Sequence, residues 1–102
     1  MTQKRSDRIE FLKPSGKVEM GLIDLSESGA AIIHPKEESG NANIIINNLH
    51  LKARVIYCKE EVGSFKIGMQ FIDVPPEKLG FLKMLVEKFS RGVPLEFKAV
   101  FK

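Results

Sequence analysis

Two short stretches near the start of the chain carry the residue types best suited to holding an anionic ligand rich in hydrogen-bond donors. Residues 3 to 8, Gln-Lys-Arg-Ser-Asp-Arg, set the cations Lys4, Arg5 and Arg8 beside a single acid, Asp7. Residues 24 to 29, Asp-Leu-Ser-Glu-Ser-Gly, place a carboxylate, a hydroxyl and a glycine at the spacing D-x-S-x-x-G. An ionised carboxylate is an acceptor only and can take two neighbouring N–H donors together, while the Ser26 hydroxyl can donate or accept. Gly29 has no Cβ, so a ligand or another segment can approach its backbone closely. Taken singly, Asp24, Ser26 and Gly29 suit an Asx or Ser turn that ends a strand, and the cations suit a solvated tail. Their order and separation make them a candidate for one site.

The other reactive side chains do not assemble into chemistry. Cys58 is the only cysteine, which excludes an internal disulfide, and His34 and His50 lack the partner spacing of a metal set. His34 is expected in a loop and His50 on the outward face of a strand. Cys58, beside Tyr57, is expected to be buried and not reactive. Asp7, Glu37, Glu38, Glu60 and Glu61 fall in the tail or loops and suit a solvated surface better than an acid–base pair. No enzyme motif is present, and no cofactor is implied.

Composition bounds the scale of the fold. The chain has 102 residues, 43% hydrophobic and 28% charged, which suits one compact domain and is too short for two cores. A net charge of +3 allows a phosphate-bearing ligand but falls short of the dense basic stripe of a duplex-DNA binder. No apolar run approaches the roughly 20 residues that cross a bilayer, and the first residues lack a signal-peptide apolar stretch. The expected compartment is the cytoplasm.

The elements that must position the two motifs alternate with period two for most of the chain. Pro14-Ser15-Gly16 separates Ile9–Leu12 from Lys17–Leu22 as the turn of a hairpin, and turn-forming residues at Asp24-Leu25-Ser26 interrupt the second strand. Ala30–Ile33 forms a short apolar strand. Asn47-Asn48 lies between Ile44–Ile46 and Leu49–Tyr57 and predicts a tight type I′ hairpin, with Leu49, Leu51, Ala53, Val55 and Tyr57 facing the core. After the loop at 60–63, Phe65, Ile67, Met69 and Phe71 alternate inward. Short alternating strands at this spacing predict a mainly β fold, a small six-stranded antiparallel barrel.

From Pro75-Pro76 the period becomes helical. Leu79, Leu82, Leu85, Val86 and Phe89 recur at spacings of three and four, Glu77 suits the first turn, and Gly92 suits the residue after the C-cap. One helix over 76–90 is expected, with its apolar stripe against the barrel. Residues 94–101 alternate again and are free to add a strand, pair with a second chain or hang loose. The predicted organisation is a cationic tail at 1–8, the barrel and helix at 9–92, and a C-terminal tail or extra strand at 93–102.

The two motifs together, in this order and followed by this pattern, resemble the PilZ family. That family is marked by an N-terminal RxxxR and a later (D/N)xSxxG; the second is complete here in Asp24, Ser26 and Gly29. Ile67-Gly68-Met69-Gln70-Phe71 is similar to the family's last barrel strand, and the likeness covers residues 3 to about 90. The resemblance implies a receptor for cyclic di-GMP, with Lys4, Arg5, Arg8, Asp24, Ser26 and Gly29 as the ligand-binding residues. Asp24 would then accept from N1–H and N2–H₂ of guanine, an edge that adenine does not present. Ligand binding would order the tail and alter the surface seen by an output protein in motility, adhesion or biofilm responses.

The first motif departs from the family. Arg8 pairs at the required spacing with Lys4, so the sequence is KxxxR, and Arg5 comes one position late. A guanidinium can grip guanine O6 and N7 in bidentate fashion, where an ammonium is a point charge. Losing one such pair removes about 1 to 3 kcal/mol. Two further classes therefore stand beside the receptor: a PilZ relative that binds no ligand and serves as a protein interaction module, and a single-stranded nucleic-acid binder. The last usually needs aromatic residues on the barrel face, whereas the alternation here directs them inward.

Overall fold

A computed structural model describes residues 21–102. Lys4, Arg5, Arg8, the strand expected at Ile9–Leu12 and the turn at Pro14-Ser15-Gly16 lie outside the described residues. Within them the chain runs β1 (Gly21–Leu25), β2 (Gly29–His34), β3 (Asn41–Ile46), β4 (Leu49–Glu61), β5 (Ser64–Ile72), α1 (Pro76–Ser90) and β6 (Phe97–Phe101). The six strands form one antiparallel sheet in the order β1-β2-β5-β4-β3-β6. It is curled into a half-barrel. The curl brings the end of β2 to the end of β6, where the His34 and Phe101 rings lie 5.1 Å apart although three strands separate them in the sheet.

Alternation builds the core on the concave face. Ile44 and Ile46 of β3, Leu49, Leu51 and Ala53 of β4, and Ile67, Met69 and Phe71 of β5 are all buried there. Ala30 and Ile32 of β2 and Leu25 of β1 extend this surface, and Leu82 and Leu85 of α1 close it. The helix has the predicted bounds. Pro75 and Pro76 open it, and it stops in a Schellman motif in which the Gly92 N–H donates to the Phe89 carbonyl and the Val93 N–H to that of Lys88. The φ of +84° at Gly92 is why glycine stands there.

One open alternative is decided and three expectations change. The alternating C-terminal segment forms β6 along β3, so the sixth strand of the described sheet comes from the end of the chain. Asp24 and Leu25 continue β1 and do not form a turn, because a bulge absorbs Ile23 and keeps the pairing with β2. Tyr57 is 43% exposed and is not a core residue. A second bulge, at Ile56, inverts the phase of β4, so Cys58 packs against the core opposite Ile67 and Tyr57 faces out. His34 is the last residue of β2, buried on the core face, with Nε2 3.1 Å from Glu38 Oε2.

The β3–β4 connection also differs in detail. Asn47 is left-handed at φ +50°, but Asn48 has φ +158°, which is not the type I′ value. Asn47 bonds instead to the C-terminal segment: its N–H donates to the Glu96 carbonyl at 3.0 Å, and its Oδ1 accepts from the Glu96 N–H at 2.8 Å. This pair fixes the entry to β6.

Candidate functional site

The bulge in β1 decides which way Asp24 faces. Leu22 pairs with Ile32, a core residue, so by simple alternation Asp24 would point inward two residues later. The extra residue, Ile23, shifts the register so that Asp24 pairs with Ala31 on the outer face while Leu25 takes the inward position beside Ala30. Re-aiming a side chain at the end of a strand is a recurrent use of bulges. Asp24 is exposed, and its Oδ1 accepts the Leu25 N–H at 2.9 Å, which fixes the carboxylate and leaves it acceptor capacity.

Ser26 organises the turn that follows. Its Oγ lies 3.2 Å from the N–H groups of both Ser28 and Gly29 and 3.1 Å from the Ser28 hydroxyl. The Ser26 N–H closes the turn on the Gly29 carbonyl at 2.8 Å, and the Ser28 carbonyl accepts from the Phe71 N–H at 2.9 Å, tying the turn to β5. Gly29 has a structural reason that the sequence did not show: a Cβ there would strike the Met69 carbonyl of β5. Asp24 near the end of β1, Ser26 in the connection and Gly29 at the start of β2 thus bracket one short, internally bonded turn.

The register places further groups on the same face. One row across the sheet runs Asp24, Ala31, Gly68, Tyr57, and the next runs Gly29, Gln70, Arg54. From β1 to β4 this is three strand spacings, about 14 Å. The ground between is flat, since Ala31 and Gly68 are small and the Tyr57 ring lies where a Cβ on Gly68 would be. Asp24 supplies the acceptor, Arg54 a cation, Gln70 an amide and Tyr57 an aromatic surface. The alternation of Ala53 and Val55 sets Arg54 outward without making it a neighbour of the motif, and Tyr57, expected in the core, faces out. The alternation gives the facing of each residue and leaves the row unspecified.

The PilZ domain family model matches residues 4–88. The chain belongs to the PilZ family, a family of cyclic di-GMP receptor domains that bind ligand and do no catalysis. The match includes Lys4, Arg5 and Arg8 as well as the whole β1–β2 turn. No curated protein and no solved structure matches the chain significantly. Among the described residues no helix is long and apolar enough to cross a membrane.

Proposed function

We propose that this PilZ domain is a cyclic di-GMP receptor, in which ligand held at the β1–β2 turn draws in residues 4–8 and presents an altered surface to an output protein. The observation that carries the reading is the outward Asp24, fixed by a bulge and by the Leu25 N–H at the head of a bonded turn. A carboxylate in that position takes the paired N1–H and N2–H₂ donors of a guanine, and Arg8, with Lys4 or Arg5, supplies charge for the phosphates. Arg54 and Tyr57 offer a second cation and a stacking surface on the same face. The two guanines and two phosphates of cyclic di-GMP call for this pairing of acceptor and cations.

Isothermal calorimetry tests it. Cyclic di-GMP added to micromolar protein should give saturable heat, and Arg8→Ala and Asp24→Ala should each abolish it. A flat trace from the unmutated protein would leave the domain as a PilZ-type interaction module, the reading that Lys4 in place of arginine favours.

A further inference from the structure

A concavity lies on the outer face at the β6 end of the sheet, away from the β1–β2 turn. It encloses about 380 Å³ where β3, β4 and β6 meet the β5–α1 connection. Two rows of the sheet form its floor, His50–Ile45–Lys98 and Lys52–Asn43–Val100. Ile72, Pro75 and Lys78 form its wall. Within the concavity Ile45 and Val100 form an apolar patch, and Val100 is 64% exposed. Lys78 does not swing freely: its Nζ donates to the His50 carbonyl at 2.7 Å, which holds an ammonium at the rim. Lys52 and Lys98 stand at opposite sides of β3, and Asp73 is the single carboxylate among the lining residues.

We infer that this groove docks an acidic, aliphatic segment of a partner protein, its apolar side chains on Ile45 and Val100 and its carboxylates on Lys52, Lys78 and Lys98. Charge complementarity selects this occupant. Three lysines against one aspartate disfavour a second copy of the same groove, which would set like charges face to face. A small polar ligand would need buried polar groups directed into the cavity to orient it. Among the described residues the one buried side-chain atom without a partner is His34 Nδ1, on the core face. Single-stranded nucleic acid would need an extended aromatic surface for its bases, and the lining offers one ring alone, the His50 imidazole. The anchored Lys78 lowers the ordering cost of binding. The inference stands apart from the cyclic di-GMP reading, because the groove shares no residue with the Asp24 turn.

The test uses the full chain and a fluorescein-labelled synthetic 12-residue peptide of alternating glutamate and leucine, with a glutamine-for-glutamate version as control. Fluorescence polarisation should saturate with the acidic peptide and weaken as salt rises through the range in which the Debye length falls from about 10 to 3 Å. The glutamine peptide should bind at least about tenfold more weakly, and so should the acidic peptide to Lys52→Glu/Lys98→Glu, whose positions are exposed and whose folding circular dichroism verifies. Amide shifts in ¹⁵N spectra should cluster on β3, β4 and β6 around Ile45, Lys52 and Val100. Equal binding of the two peptides, undiminished binding by the double variant, shifts centred instead on the paired Lys59 and Lys66 at the other end of β4 and β5, or no saturation would each overturn the inference. Tighter binding to phosphatidylglycerol vesicles than to the peptide, lost in the same variant, would also overturn it in favour of a membrane surface. A domain that fails to bind cyclic di-GMP yet binds the peptide would retain this site and lose only the ligand reading.

Discussion

The two ends of the outer face are built in opposite ways. At the β1–β2 end, position is set by the backbone: a bulge turns Asp24 outward, Ser26 gathers two N–H groups, and Gly29 lets β2 lie against Met69. At the β6 end, the groove sets an apolar patch of Ile45 and Val100 among three lysines, of which Lys78 alone is anchored by a hydrogen bond among the described residues. The first arrangement fixes a few acceptor atoms in direction and suits one defined hydrogen-bonding edge. The second offers charge and apolar area with little directional demand, and suits a segment of variable sequence. One sheet can therefore carry a selective surface and a tolerant one at successive positions along β4, with Arg54 and Tyr57 bordering the first and His50 and Lys52 the second.

Breaking the selective end should have the largest effect. Asp24→Ala should weaken cyclic di-GMP binding by about a hundredfold or more, as expected when a carboxylate that accepts two hydrogen bonds, each worth about 1.5 to 3 kcal/mol, is removed. Calorimetry measures the loss. The thermal midpoint should hardly move, since Asp24 is exposed, and acidic-peptide binding at the groove should be unchanged. A parallel loss at both ends would mean that the two surfaces are not independent.

Gly29→Ala comes next and acts on stability. The new methyl group meets backbone that cannot rotate away, so β2 must shift from β5, with a cost of about 1 to 3 kcal/mol. Thermal denaturation should show a drop of roughly 4 to 8 °C per kcal/mol for a domain of this size. Lys4→Arg should tighten cyclic di-GMP by about tenfold through the restored bidentate grip, read by the same calorimetry. No change would show that Arg5 already fills the position. Smallest is Gly68→Ala. Its methyl group meets the half-exposed Tyr57 ring, which can swing aside, so the loss should stay below about 1 kcal/mol, and Tyr57→Ala in the same chain should recover it.

The sequence carried the helix and the strands more openly than the site. Leu82, Leu85 and the prolines and glycine that bracket them mark α1 because period and punctuation agree. Leu49, Leu51 and Ala53 mark the inward face of β4 for the same reason. The bulges were hidden, because one inserted apolar residue changes neither composition nor propensity. The only trace of the second is the run Val55-Ile56-Tyr57-Cys58, where strict alternation lapses. That lapse moved Tyr57 from core to surface. At Asp24 the residue types announced a turn, and only the pairing of β1 with β2 shows that the strand continues and bulges. The arrangement of Arg54, Gln70 and Gly29 in one row needs the strand order β2-β5-β4, a long-range fact that no local pattern encodes.

The central claim is that the outward Asp24 selects a guanine edge. Parallel calorimetric titrations of the unmutated protein with cyclic di-GMP and cyclic di-AMP test it most directly. The two ligands share their phosphates and ring and differ in the base edge offered to the carboxylate. Saturable heat from cyclic di-GMP with none from cyclic di-AMP is the predicted result; equal heat from both, or none from cyclic di-GMP, would contradict it.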